Sequence, residues 1–463
     1  MNPPKDRKEG TKAPYLPEMT AREAALQTLV AMDHQKAWSN GHLKKVIQEA
    51  HLDRRDAALA TRLCFGVLQN RMLLDHYLQQ YSTMKLTKME SKVRNSLRLG
   101  LYQMLFLTKI PVSAAVSESV ALTKKLCKNP RAGGMVNGIL RNLARHLDDL
   151  PTLDRSHPIA YLSLLYSHPQ WLVEDWGNRL DGEELEALLR WDNSEPPVTV
   201  QVNTCRFQTP EVVELLQREG MAVTPHPWLA DCLTLTATGD LTQSEGWRQG
   251  MFYPQDPAAR LAVLAAGLTP GCKVLDACAA PGGKSFAAAM VMGDRGEIHA
   301  CDLHPHKKAL IQAGADRLGL QSITPQVADG KKPRKGWGEA FDVVLADVPC
   351  SGLGVLRKKP EIRYKAPEAL EGLPQIQGEI LANVSTYVRP GGVLLYSTCT
   401  LRTQENEAVV QAFLASHPDF RLEAFRLPGP LGLVEAGQCT LWPQRLETDG
   451  FFLAKLRKEG AHA

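Results

Sequence analysis

The chain has 463 residues, 44% of them hydrophobic and 22% charged, which is room for two or three domains of ordinary globular composition. No apolar run reaches about 18 residues, and the first residues carry charges and prolines but no apolar signal core, so a cytoplasmic location is expected rather than a membrane-spanning or secreted one. The formal charge of +4 conceals an asymmetry: residues 1–150 hold 24 Lys+Arg against 13 Asp+Glu, and the remainder 30 against 37, which suits the N-terminal third to a polyanion unless these charges are only solvated helix faces.

Residues 1–17 place four prolines among mixed charges and read as a disordered tail. Residues 18–150 read as an all-helical domain. No proline occurs from Glu18 to Ile110, and apolar residues recur at helical spacing, as in Ala60, Leu63, Cys64, Val67 and again in Val93, Leu97, Leu101, Met104. Residues 151–250 read as a linker and a small α/β module. In it PPVTVQVNT is a strand entered through prolines, and TPEVVELLQREG a helix capped at Thr209 with Pro210 at its first position and Gly220 at its end. From 251 to 463 strands and helices alternate. CKVLDAC, GEIHACD, ITPQVAD, FDVVLAD and GVLLYST are short runs apolar on both faces, as a parallel sheet covered by helices requires. The fold class is therefore multidomain, with a doubly wound α/β domain last, and ligands of such sheets bind at the carboxyl ends of the strands.

Those ends carry the chemistry. The first strand runs into DACAAPGGKS, Asp276 to Ser285. Its Gly282–Gly283 pair opens a helix and frees backbone N–H groups for a ligand. A nucleotide P-loop, GxxxxGK[ST], is a rival reading, since Gly283, Lys284 and Ser285 fit it, but Cys278 stands where it needs glycine. Asp276 would also repel phosphates. Asp302 and Asp329 end the next two strands, and acids at successive strand ends suit a cofactor with ribose, amino and cationic groups, such as S-adenosylmethionine. FDVVLAD ends at Asp347 and is followed by Val348, Pro349 and Cys350; GVLLYST is followed by Cys399. Ten cysteines without a CxxC pair argue against disulfide frameworks and zinc knuckles, so a working cysteine acts as a free thiol. On chemical grounds alone Cys350 is a candidate nucleophile, its turn stiffened by Pro349 and kept open by Gly352 and Gly354. His304 and His306 in DLHPHKK read as exposed, and no metal is expected.

DACAAPGGKS, DVPCSG and YSTCTL, in that order, resemble the RNA cytosine-5 methyltransferases. RLCFGVLQNRMLLDHYL and MVNGILRNL resemble the NusB-type RNA-binding domain of the RsmB (Sun/Fmu) ribosomal RNA methyltransferases, and YPQDPAARLA and DGFFLAKL match as well. The resemblance implies a NusB-like helical domain, a linking α/β module, and a Rossmann-like domain that uses S-adenosylmethionine to methylate C5 of a cytosine in small-subunit (16S) ribosomal RNA. It implies a covalent Cys–C6 adduct in which Cys399, the cysteine of the Thr-Cys pair, attacks, Cys350 serves product release and Asp347 faces the base. The loop of Cys278, Ala279, Ala280, Pro281, Gly282, Gly283 and Lys284, with Asp302, Asp329 and Asp347, is expected to hold the cofactor. Thr403 is expected to cap the helix after Cys399, with Glu405 and Glu407 as first-turn acids. The family commonly has alanine at Val348 and threonine at Leu353, which leaves the shape of the base pocket open. A monomer that binds RNA through its helical domain and small module is expected. A P-loop NTPase and a non-catalytic RNA-binding factor are the alternatives.

Overall fold

The computed structural model describes residues 19–35, 39–236 and 238–460; the tail expected over residues 1–17 lies outside them. Two units divide between Ser167 and His168.

The first unit contains α1 (Ala21–Gln35), α2 (Ser39–Glu49), α3 (Arg54–Gln69), α4 (Arg71–Gln80), α5 (Ser91–Phe106), α6 (Val112–Leu126), α7 (Ala132–Arg145) and α8 (Pro158–Leu165). Its core is the apolar periodicity made solid: Leu63, Cys64, Val67, Leu97, Leu101, Val136 and Leu140 are fully buried in one cluster. Asp53 caps α3 through the Asp56 N–H at 2.8 Å. The Arg98 guanidinium on α5 grips the Asp75 carboxylate of α4 with two bonds of 2.7 and 2.6 Å, the fork geometry that only arginine offers. The unit continues past the Asp149–Pro151 stretch because α8 returns to α4, where the Leu73 N–H donates to Ser167 Oγ at 3.1 Å.

The second unit begins with α9 (Gln170–Gly177) and α10 (Gly182–Asp192). A four-stranded antiparallel sheet of order β2-β3-β1-β4 follows, built from β1 (Val198–Val202), β2 (Ala222–Pro225), β3 (Cys232–Thr236) and β4 (Phe252–Pro254), with α11 (Thr209–Arg218) and α12 (Glu245–Arg248) in its connections. The cap of α11 is Gln208 rather than Thr209. The Glu211 carboxylate reaches back to the Gln208 N–H at 2.9 Å, while the Thr209 hydroxyl donates to the Ala230 carbonyl.

The last part alternates α13 (Pro257–Ala266), β5 (Lys273–Asp276), α14 (Gly283–Val291), β6 (Glu297–Asp302), α15 (Pro305–Leu318), β7 (Ile323–Val327), β8 (Phe341–Asp347), α16 (Leu373–Ser385), β9 (Val388–Thr398) and α17 (Glu407–Ser416). Strands β9-β8-β5-β6-β7 are parallel neighbours. Alternate residues feed two cores: Val274, Val343, Leu345 and Leu395 meet α13, α14 and α15 on one face, and Leu275, Val344, Leu394 and Tyr396 meet α16 and α17 on the other. That double burial is why the strands read as unbroken apolar runs. The sheet is mixed at its far edge, beyond the five parallel strands expected. After β10 (Phe420–Leu422), β11 (Phe425–Leu427), β12 (Gly432–Val434), β13 (Gln438–Leu441) and α18 (Pro443–Leu446), strand β14 (Phe451–Lys458) lies antiparallel to β9, with β10 and β13 beside it.

Candidate active site

Parallel pairing of β8 with β9 sets Asp347 opposite Ser397, so the residues just past both strands emerge side by side. Cys350 and Cys399, 49 positions apart in the chain, bring their Sγ atoms to 3.2 Å as free thiols. Asp347 is held from both sides: Ser397 Oγ donates to Oδ1 at 2.8 Å and Lys284 Nζ to Oδ2 at 2.7 Å. Lys284 also sits over the Phe451 ring, 5.0 Å from its centroid. Burial pulls the Lys284 ammonium down, but the charge and hydrogen bond of Asp347 outweigh it and hold the group above its ordinary value.

The two thiols part company electrostatically. Cys399 is brought below the usual thiol value, chiefly by its hydrogen bond with Cys350, with Lys284 helping against burial and Asp347. Cys350 is pushed well up by the same contact, by burial, and by Glu405 and Asp347. The surrounding charges thus act on the two thiols in opposite directions, Cys399 downward and Cys350 upward.

The 278–284 loop lies over the ends of β5, β6 and β8: the Ala277 N–H donates to the Leu345 carbonyl at 2.9 Å and the Ala279 N–H to the Cys301 carbonyl at 2.7 Å. Gly282 has φ +113°, and a Cβ there would stand 2.4 Å from the Phe286 ring. A cavity of about 200 Å³ is lined by Gln255, Asp276, Cys278–Pro281, Gly283, Lys284 and Asp347. Asp276 is fully buried; Ser285 Oγ donates to its Oδ2 at 2.7 Å, Oδ1 has no hydrogen-bond partner, and burial pushes the carboxyl up to about 7. Asp302 and Asp329 follow along the same sheet edge outside that lining, each also accepting from a backbone N–H two residues on, His304 at 3.2 Å and Lys331 at 3.0 Å. Cys278 also lines the cavity, and burial pushes its thiol up. His304 and His306 are exposed, and among the described residues no group of three His, Cys, Asp or Glu could hold a metal.

Several local expectations change. The Pro349 carbonyl accepts from Gln377 Nε2 at 3.0 Å, which ties the turn to α16. Gly354 does not keep its loop open; it lies against a second chain segment, where an added Cβ would be 1.9 Å from the Gly450 carbonyl oxygen, and its N–H donates to the Cys399 carbonyl at 2.9 Å. Val348 and Leu353 are buried, Val348 in the core beneath α16. Thr403 opens a 3₁₀ turn and α17 starts only at Glu407, leaving Glu405 turned inward and fully buried. Ser397, Gln377, Glu405 and Phe451 are site residues that motif reading missed. Lys358, bonded to both Asp256 at 2.6 Å and Asp449 at 2.9 Å, is another, tying YPQD to DGFF.

Fold and site together define a methyltransferase domain that carries a pair of thiols. The model of the 16S rRNA methyltransferase RsmB/F family matches residues 264–457, that of the NusB family residues 19–145, and that of the ferredoxin-like domain of RsmF/B-like methyltransferases residues 168–242. "Probable ribosomal RNA small subunit methyltransferase B" of Bacillus subtilis is 36% identical over 95% of this chain and 99% of its own length, and the Synechocystis protein of the same description is 33% identical over 95% and 100%. The chain belongs to the ribosomal RNA small subunit methyltransferase B family, and methylation of ribosomal RNA is its class of activity. In fold it is similar to the crystal structure of PH0851 (TM-score 0.80, 24% identity, 96% of this chain and 100% of that one) and to NSun6 from Pyrococcus horikoshii, solved with SFG (TM-score 0.56, 22%, 63% and 98%). No helix among the described residues is long and apolar enough to cross a membrane.

Proposed function

We propose that the protein uses S-adenosylmethionine to methylate C5 of one cytosine in 16S ribosomal RNA through a covalent bond between Cys399 Sγ and C6 of the base. The observation that carries this reading is the 3.2 Å approach of two free thiols beside the Lys284–Asp347 pair. C5 of cytosine is too weak a nucleophile until a thiolate adds at C6, and such chemistry needs one thiolate, a second proton-handling group and a clamp on the base edge.

Residues 278–284, Asp302 and Asp329 are the groups that would hold the cofactor, which when bound supplies an electrophilic methyl group. The fit rests on Asp276. A buried carboxyl with an unpartnered oxygen at the cavity wall suits an amino-bearing, cationic ligand and repels a triphosphate. Lys284, which a P-loop would aim at phosphates, is instead bound to Asp347. NSun6, alike in fold, was solved with SFG, an analogue of S-adenosylmethionine.

In the proposed mechanism the cytosine is presented unpaired. Asp347 accepts from its exocyclic amino group, and Lys284 offers a donor to the same edge. Cys399 Sγ bonds to C6 as the C5–C6 π bond opens, which makes C5 the nucleophile. After C5 carries the methyl group its proton leaves and the C6–S bond breaks, restoring the ring. Once Cys399 Sγ is bonded to carbon it is no longer an anion that holds the Cys350 proton, so Cys350 can give that proton to solvent and, as a thiolate, take the proton from C5 while the C6–S electron pair returns to Cys399. The basic first unit supplies the phosphate contacts.

The test is asymmetric. Cys399→Ala gives no covalent RNA adduct and no new 5-methylcytosine by bisulfite mapping; Cys350→Ala gives an adduct that survives a denaturing gel. An adduct from the Cys399 variant refutes the assignment.

A further inference from the structure

Glu405 is a fully buried carboxylate directly behind the thiol pair. Its Oε2 accepts from the Ser351 N–H at 2.8 Å and from Gln377 Nε2 at 3.0 Å, and Gln377 Nε2 also donates to the Pro349 carbonyl at 3.0 Å. The residues on both sides of Cys350 are therefore fastened to it. Ser351 Oγ lies 2.7 Å from Thr400 Oγ1, which joins this turn to the residue after Cys399. The cation facing Glu405 is Arg402, whose Nη1 stands off at 3.5 Å. A neutral glutamine could accept both hydrogen bonds without the desolvation cost of a buried charge. The clamp alone does not explain why a carboxylate stands here.

We propose that Glu405 is a positioning residue for the thiol pair: it clamps the Pro349–Ser351 turn against the turn of Cys399 and Thr400 and places its carboxyl group on the Cys350 side, so that Cys399 is the more reactive of the two thiols. The inference rests on the reading that Cys399 attacks. The charged and titratable groups around the pair are Lys284 on α14, Asp347 at the end of β8, the neutral Tyr396 phenol on β9, Asp449 before β14, and Glu405 with Arg402 before α17. Their effects are unequal. Glu405 and Asp347 push Cys350 up behind its bond to Cys399 and its burial, whereas Lys284 acts on Cys399 and draws it down against Asp347 and Asp449. Lys284 in front and Glu405 behind thus polarise one Sγ···Sγ contact in the same sense.

The experiment needs neither RNA nor cofactor. The full chain is labelled at pH 7 with substoichiometric iodoacetamide, and the ratio of Cys399 to Cys350 modification is read from the peptides by mass. Cys399 dominates in the wild type. Glu405→Gln, which keeps an acceptor for the Ser351 N–H, lowers the ratio roughly tenfold, the scale of one nearby charge in a partly polar interior, with the melting temperature retained or raised. Arg402→Met leaves the clamp atoms in place, removes the cation facing Glu405 and raises the ratio. A ratio unmoved by Glu405→Gln, or lowered by Arg402→Met, overturns the proposal. Because the readout is alkylation, it is separable from the function: if Cys399→Ala still methylates cytosine, the assignment of attack fails while the ratio reports on Glu405 independently.

Discussion

Asp276→Asn separates what the cavity costs the empty protein from what it does for the ligand. The Asp276 carboxyl is fully buried and its value is pushed up by burial to about 7 from an ordinary 3.8. The folded state therefore holds this proton more tightly than the unfolded chain. The stability linked to it is fully present below about pH 4 and is lost as pH rises toward 7, by about 4 kcal/mol at ~1.4 kcal/mol per pH unit. An asparagine of the same shape keeps an acceptor for Ser285 Oγ and carries no charge, but it still leaves one buried polar atom unpaired, at about 1–3 kcal/mol. The net expectation is a gain of about 1–3 kcal/mol at pH 8 and almost none at pH 5. With several domains in one chain a single unfolding transition is not assured, so the assay is a urea titration read by pulsed labelling of Cys301, buried in neighbouring β6. The stabilised variant should bind S-adenosylhomocysteine more weakly, the usual exchange of stability for function. Equal destabilisation at both pH values would refute the reasoning.

Gly354→Ala drives a Cβ into the Gly450 carbonyl at 1.9 Å, where only backbone can yield; a loss of at least about 2 kcal/mol and slower alkylation of Cys399 are expected, read by melting temperature and mass. Lys284→Met removes the cation facing Cys399 and one support of Asp347, so the midpoint of Cys399 alkylation moves to higher pH and single-turnover methylation slows. Asp302→Ala weakens S-adenosylhomocysteine binding roughly 10- to 100-fold by calorimetry if it holds ribose hydroxyls, the worth of hydrogen bonds to a charged group; unchanged affinity removes it from the cofactor site.

The parallel strands were legible because burial on both faces makes each an unbroken apolar run, and the site was legible because its residues stand just past those runs. β14 was not, since FFLAKLRK mixes charge into its run, and Lys455 and Arg457 find partners in Glu423 that only the fold supplies. Glu405 shows the limit most clearly. An acid after Thr-Cys near a helix start fits a first-turn role by local rules, yet a 3₁₀ turn rotates it into the core, where its partners Ser351 and Gln377 lie 54 and 28 positions away. Charge adds a constraint that the fold alone does not. The 151–250 segment holds 6 Lys+Arg against 15 Asp+Glu, so it is ill suited to neutralise phosphates. If that module touches RNA, its contacts must run through bases, sugars or neutral donors, while the basic first unit carries the salt-sensitive share. Charge reversal of exposed lysines there should flatten the salt dependence of RNA binding, and removal of acids from the module should instead steepen it.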